Sequence, residues 1–382
     1  MLSFSAPIPL NLYIHIPWCV KKCPYCDFNS HKAKQSIPEE EYIQALTKDL
    51  EEKLPEIWGR RLISIFFGGG TPSLFSASAI EKILTMVHSR LNFGSDIEVT
   101  LEANPGTIDE NKFKGFKKAG VNRLSIGLQS LQNEKLKLLG RIHDRDHALS
   151  AIEKATNAGF TNFNLDLMHG LPNQSVDDAL ADLKDALNFS PPHLSWYQLT
   201  IEPNTLFHNK PPLLPHEDTL YDIQNKGIEL LTNNNMQQYE VSAYSKPNHE
   251  CQHNLNYWQF GDYLGIGAGA HSKITDVNQN IITRHWQVKN PKDYLNLQKS
   301  QTVNSKILER KDIVFEFMLN ALRLNKGFDK ELFETRTGVE ISFIEPTLKQ
   351  AQDKRFITYE NGIVTKTQLG ARFLNDVVAM FL

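Results

Sequence analysis

Through its first 240 residues the chain alternates short apolar runs with amphipathic stretches of helical length, and this alternation leaves few folds open. Leu10–Ile16 (LNLYIHI) repeats at period two: Leu10, Leu12, Ile14 and Ile16 face one side, Tyr13 and His15 the other, which predicts a strand. Further strands are expected at Ile63–Phe67, Ile97–Glu102, Arg123–Gly127, Phe163–Met168 and Leu194–Leu199. Helical patterns lie between and after them near residues 39–54, 76–91, 109–119, 145–158, 175–188 and 217–234. Strand–helix repeats of this length imply crossover units and a parallel sheet. Six units are too few for an eight-fold barrel and suit an open, partial (β/α)6 barrel of the α/β class. In parallel barrels the chemistry collects where strands end and loops begin. The polar oddities of this sequence sit at such places: the cysteines, FGGGTP, LEANPG, IGLQS and DLMHGLP.

The pattern changes after residue 240, which divides the chain into a core barrel (1–240), a connecting segment rich in His and aromatic residues (241–304) and a small C-terminal α+β module (305–382). In the last, helices are expected at Lys311–Leu322, Asp329–Thr337 and Ser342–Lys354, then two strands about the Asn361-Gly362 turn and a closing helix. Three helices and a two-stranded wing resemble a winged helix in shape, but the segment is not conspicuously basic, so a structural or partner-binding role is expected. The net charge of −3 offers no field to recruit nucleic acid. No run reaches the roughly 18 apolar residues of a membrane span, and the N-terminus lacks the basic start of a signal peptide. A cytoplasmic location is expected, with peripheral attachment to a membrane as the alternative, although no amphipathic anchor is evident.

Three of the four cysteines fall within eight positions, as Cys19-Val-Lys-Lys-Cys23-Pro-Tyr-Cys26, directly after the first strand. Clustering of this kind points to metal rather than to cross-links. Thiolates are the usual ligands of iron–sulfur clusters, and three of them leave one iron open. Zinc is the rival; a closed zinc site needs four ligands, which His15 or His31 could complete. A loop that gathers three cysteines without any metal is the third reading.

C-x3-C-x2-C after the first strand, with an aromatic residue (Tyr25) before the last Cys, resembles the signature of radical S-adenosylmethionine (SAM) proteins. The resemblance implies a [4Fe–4S] cluster on Cys19, Cys23 and Cys26, whose open iron chelates SAM and cleaves it to a 5′-deoxyadenosyl radical. FFGGGTP, with Gly69, Gly70 and Thr71, is similar to the strip that holds the SAM amino group. Tyr13, Glu102, Gln129, Arg141 and Asp166 match SAM-contacting positions of the coproporphyrinogen III dehydrogenase-like branch. The roles are chemically reasonable: Arg141 pairs with a carboxylate, while Glu102 and Asp166 accept from an ammonium or hydroxyls.

Within that branch two features depart from the dehydrogenases. Phe28 stands where they carry a further Cys, and the motif begins at residue 19, without their longer N-terminal segment. His253-Asn254-Leu-Asn-Tyr257-Trp258 (H-N-x-x-Y-W) instead resembles the signature of the branch's haem chaperones, and imidazole is an axial haem ligand. The resemblance implies haem binding by His253, Tyr257 and Trp258, delivery to recipient haem proteins such as respiratory enzymes, and a reductant for the cluster, with no catalytic residue assigned. Cys251 is an alternative ligand. The alternative function is oxygen-independent coproporphyrinogen III dehydrogenase, oxidatively decarboxylating propionates; a radical enzyme on another substrate is a third reading. Gly265-Ile-Gly267-Ala-Gly269-Ala270 meets G-x-G-x-x-G/A, but an aromatic-rich loop before it and no clear helix after it argue against a dinucleotide site.

Overall fold

The computed structural model describes residues 2–33 and 36–382. Six parallel strands form the centre of the molecule: β1 (Leu10–Ile16), β2 (Leu62–Gly69), β3 (Glu98–Ala103), β4 (Arg123–Gln129), β5 (Phe163–His169) and β6 (His193–Gln198). They are joined or followed by helices α1 (Glu39–Lys53), α2 (Ala77–His88), α3 (Glu110–Ala119), α4 (Arg145–Asn157), α5 (Val176–Leu187) and α6 (Glu217–Asn233). Local chemistry sets these boundaries. Asp109 caps α3 by accepting from the Lys112 N–H, and Gly120 ends it at φ 112°. Ser175 and Asp178 close a reciprocal capping box on α5.

The period-two reading of β1 is the key to the barrel. Leu10, Leu12, Ile14 and Ile16 are fully buried in the hydrophobic core between sheet and helices. The opposite positions face the barrel axis and, Phe66 of β2 and the glycines aside, those that line its cavities are polar: Tyr13 on β1, Glu102 on β3, Arg123, Ser125 and Gln129 on β4, Asn164 and Asp166 on β5, His193 and Ser195 on β6. A closed barrel fills its axis with branched apolar side chains; this one is lined for ligands.

The segment from 241 to 304 contains more regular structure than its sequence announces. The H-N-x-x-Y-W motif lies on helix α7 (Gln252–Trp258). A strand does precede the glycine run: β9 (Asp262–Ile266) pairs in parallel with β1. Antiparallel strands β10 (His271–Asp276), β11 (Ile281–Gln287) and β12 (Thr302–Ile307) then extend the same sheet. On the far side, β7 (Gln237–Glu240) and β8 (Ala243–Ser245) complete a 12-stranded order, β12-β11-β10-β9-β1-β2-β3-β4-β5-β6-β8-β7. β9 hides its periodicity because, with partners on both edges and neighbours on both faces, it is buried almost throughout.

The C-terminal residues fold much as expected, with α8 (Arg310–Ala321), α9 (Lys330–Thr337), α10 (Glu345–Asp353), a three-stranded sheet of β13 (Phe328–Asp329), β14 (Ile357–Glu360) and β15 (Ile363–Lys366), and α11 (Leu374–Ala379). Their core, built on Phe317, Phe333 and Leu348, also takes in Phe4, Ile8, Phe260 and Ile282. Among the described residues no helix is long and apolar enough to cross a membrane.

Candidate functional site

The cysteine loop leaves the C-terminal end of β1 and is fastened at its base. Trp18 and Cys19 pair in parallel with His31 and Lys32, so the ten or so residues between them are held as one loop. Thr71 N–H donates to the Trp18 carbonyl at 2.8 Å and Gly70 N–H to the Ile16 carbonyl at 2.7 Å, which locks the loop to FGGGTP. Asn29 is a fastener that sequence reasoning missed. Its carboxamide donates to the carbonyls of Ala268 and Lys289, both at 2.8 Å, and its own carbonyl meets His15 Nε2 at 2.9 Å.

All four cysteines are free. Burial pushes the Cys19 and Cys26 thiols up, while the hydroxyls of Thr71 (3.5 Å from Cys19 Sγ) and Ser30 (3.7 Å from Cys26 Sγ) pull the other way. Both ring nitrogens of His15 are engaged, with Tyr13 Oη at 3.0 Å and Asn29 O, and burial holds its pKa down to about 4. His31 Nε2 is engaged with Asn29 Oδ1 at 3.2 Å. Among the described residues no three His, Cys, Asp or Glu side chains surround a single point where one ion could sit. Both ring nitrogens of His15 and one of His31 are thus engaged within the protein.

Beneath the loop lies a cavity of about 290 Å3 lined by all three clustered cysteines together with Tyr25, Gly69, Gly70, Thr71, Glu102, Gln129, Arg141 and Asp166. Of the residues expected to contact SAM, only Tyr13 lies outside this lining, and it borders the two neighbouring cavities. Gly69 sits at φ 116°, and a Cβ there would come within 2.5 Å of the His15 ring, so backbone alone can occupy the position. Its N–H donates to Glu102 Oε2 at 3.1 Å. Burial, reinforced by the Asp166 carboxylate, raises Glu102 to about 8; burial also raises Asp166, against hydrogen bonds from Ser125 and Asn164. Arg141 reaches the Gly127 carbonyl at 2.8 Å and approaches Tyr25 Oη at 3.5 Å and Cys23 Sγ at 3.7 Å; its Nε finds no partner among the described residues. Tyr197 donates to Gln129 Oε1 at 2.6 Å, another lining group absent from the sequence reading.

Deeper in the barrel a second cavity, about 260 Å3, is lined by Arg123, Ser125, Asn164, His193, Ser195 and His253 among others. These barrel-facing residues were legible in principle, since they alternate with apolar residues along strands already recognised. The Glu98 carboxylate accepts from the Gln252 and His253 N–H groups at 3.1 Å each and lies 3.9 Å from Arg123. Cys251, also turned toward Glu98 at 3.6 Å, is buried.

The H-N-x-x-Y-W motif does not present one surface. His253 and Tyr257, one helical turn apart, face the barrel. Trp258 is carried round the helix to lie beneath the Arg323 guanidinium, 4.2 Å from its ring centre. His253 is 2% exposed, its Nδ1 lies 2.7 Å from Ser64 Oγ, and burial followed by the Arg123 charge holds its pKa down to about 3.

A third and larger cavity, about 560 Å3, opens between the cysteine loop and the glycine run and is lined by Tyr13, Phe28, Tyr257, Tyr263, His271 and Lys289 among others. The glycine run offers no amides to a phosphate. The N–H groups of Gly265, Gly267, Ala268 and Gly269 donate to Ser272, Asp49, Tyr42 and Val288. The run is followed by strand β10 rather than a helix, which is why it cannot act as a dinucleotide fingerprint.

The Radical SAM superfamily pattern matches residues 13–186, and the HemN C-terminal domain pattern matches residues 308–373. The chain is 48% identical over 374 residues to heme chaperone HemW of Escherichia coli (strain K12), covering 98% of each chain. It is 49% identical over 378 residues to heme chaperone HemW of Haemophilus influenzae, again 98% of each. Identity to heme chaperone HemW of Bacillus subtilis is 34% over 384 residues, 97% of this chain and 99% of that one. The solved structure of coproporphyrinogen III oxidase (HemN) from E. coli superposes with a TM-score of 0.82 over 98% of this chain and 90% of that one, at 23% identity, which is a likeness of fold. Radical SAM membership implies a [4Fe–4S] cluster and SAM. With its sequence matched from end to end, this chain belongs to the heme chaperone HemW family of the radical SAM superfamily.

Proposed function

We propose that this protein binds haem and passes it to haem-dependent proteins, and that it carries a [4Fe–4S] cluster on Cys19, Cys23 and Cys26 with SAM in the cavity beneath. The observation that supports this reading most directly is the 290 Å3 cavity, where the three thiols of one fastened loop meet the Gly69–Thr71 backbone, Glu102 and Arg141. The donor set suits both groups: three soft thiolates for iron, a cation for a carboxylate, and buried carboxyls for an ammonium or ribose hydroxyls. When bound, the two groups together supply one-electron reductive chemistry. The chain's own part is to hold and screen them. Arg141 orients an anionic group beside Cys23, Glu102 takes or gives a proton at Oε2 near Gly69, and Tyr25 and Tyr197 exclude water.

In this reading residues 1–240 hold the cluster and SAM, 241–304 supply the neighbouring cavity, and 305–382 form a module suited to meeting a recipient protein. Respiratory haem proteins are the natural recipients, and an external reductant serves the cluster. Work in the cytoplasm, with loose attachment to a membrane during delivery, suits those recipients. The end-to-end identity to heme chaperones favours carriage of haem over porphyrinogen decarboxylation, because the likeness to coproporphyrinogen III oxidase extends to the fold alone. An anaerobic haem titration of cluster-reconstituted protein, followed by the Soret band, tests the proposal. Saturable, near-stoichiometric binding is expected; non-saturable binding together with turnover of coproporphyrinogen III would refute it.

A further inference from the structure

We propose that the 560 Å3 cavity between the cysteine loop and the glycine run is the porphyrin site, with His271 as the axial iron ligand and Lys22 and Lys289 facing the propionates. This deepens the haem-binding reading and rests on it.

Size is the first argument: this cavity, at about 560 Å3, is more than twice the volume of the one at His253, at about 260 Å3, and the porphyrin is a large, flat ligand. Ligand chemistry is the second. Two histidines line the larger cavity, and His15 has both ring nitrogens engaged, with Tyr13 and Asn29. His271 is exposed, makes no side-chain hydrogen bond among the described residues, and is steadied by an edge-on contact with Trp286 at 6.0 Å between ring centres. No methionine or cysteine lines the space. Tyr263 is the competing ligand, since phenolates also bind haem iron, but its hydroxyl accepts from Arg284.

The walls supply the third argument. Phe28, 59% exposed, stands on the cysteine loop, and Tyr257 and Tyr263 lie 4.4 Å apart between ring centres on the opposite side. Flat apolar faces with polar tips suit a porphyrin with a wet edge. Lys22 and Lys289 place two cations at the same cavity. The placement gives Phe28 a positive role: it is porphyrin wall where the dehydrogenases carry a further cysteine. It also divides the H-N-x-x-Y-W motif, because Tyr257 reaches the porphyrin while His253 holds the helix in place through Ser64 and Glu98.

The test is the anaerobic haem titration of the full, cluster-reconstituted chain, run on wild type, His271→Ala, His253→Ala and Tyr263→Phe. The expected result is a loss of affinity of about tenfold or more in His271→Ala, a shifted Soret band, and recovery of that band on adding imidazole. Imidazole rescue separates a lost ligand from a misfolded variant. Replacing Lys22 and Lys289 together by Ala is expected to erase the preference for haem over its dimethyl ester. His271→Ala binding like wild type, or loss confined to His253→Ala or Tyr263→Phe, would overturn the assignment and leave haem binding standing. No haem binding by wild type would overturn both.

Discussion

The base and the mouth of this barrel are built from the same strands at the same inward-facing positions, yet they solve opposite problems. At the base, Glu98, Arg123 and Cys251 face one another, and the Glu98 carboxylate is satisfied by backbone amides of α7. At the mouth, Glu102, Arg141 and the three clustered thiols face a cavity; Glu102 has one donor, the Gly69 amide, and Arg141 Nε finds no partner among the described residues. Buried polar groups cost stability unless they are hydrogen-bonded. The Glu98 carboxylate at the base repays that cost through backbone amides, although Arg123 Nε and His253 Nε2 beside it find no partner among the described residues; the mouth sets its carboxyls and thiols against open space. Substitutions at the two ends should therefore fail differently, the base in stability and the mouth in occupancy.

The largest expected effect is at the mouth. Cys23→Ser should lose the four-iron absorbance after anaerobic reconstitution while its thermal midpoint without cluster stays near wild type; a full iron complement would remove the cluster from this loop. At the base, Arg123→Leu removes the cation 3.9 Å from Glu98, whose carboxylate keeps its two backbone donors, and should cost about 1–3 kcal/mol in urea unfolding, with iron content per folded molecule unchanged. A normal midpoint would dissolve the contrast between the two ends.

Next in size is a pH effect at Glu102. Its carboxyl, at about 8 in the fold against 4.5 when free, holds its proton longer in the folded state. Its contribution to stability is therefore greatest at low pH and is lost as pH rises from about 4.5 to 8. A ligand that donates to the carboxylate meets the reverse trend. SAM affinity should strengthen from pH 6 towards 8, by at most about tenfold per unit, and Glu102→Gln should flatten that difference in calorimetric titrations. The smallest effect is expected of Phe28→Cys, which should yield no protoporphyrinogen from coproporphyrinogen III; measurable product would show that one side chain at the mouth decides the reaction.

How much of this could be read from sequence follows the same division. The strands are clear because period-two alternation survives wherever one face meets helices and the other the barrel axis, as in β1. The mouth is clear because its chemistry uses rare residues in tight spacing. The base is harder to read because Arg123, Asn164 and His193 lie at or next to the first residue of their strands, whereas attention to motifs falls on strand ends. β9 was hidden by burial on every side, and α7 by its brevity. Trp258 lies apart from Tyr257 for a geometric reason: neighbours in a motif are a hundred degrees apart on a helix.

The strand order also fixes a sequence of events. β1 is the first strand of the chain to be made, yet one of its two neighbours, β9, begins only at Asp262. The carbonyls that fasten Asn29 belong to Ala268 and Lys289. During synthesis the cysteine loop thus remains unfastened on that side until residues 268 and 289, well over 200 positions further along, have been made. A cluster seated earlier would rest on a loop tied at one edge only, so the topology itself places stable metal loading late in the life of the nascent chain.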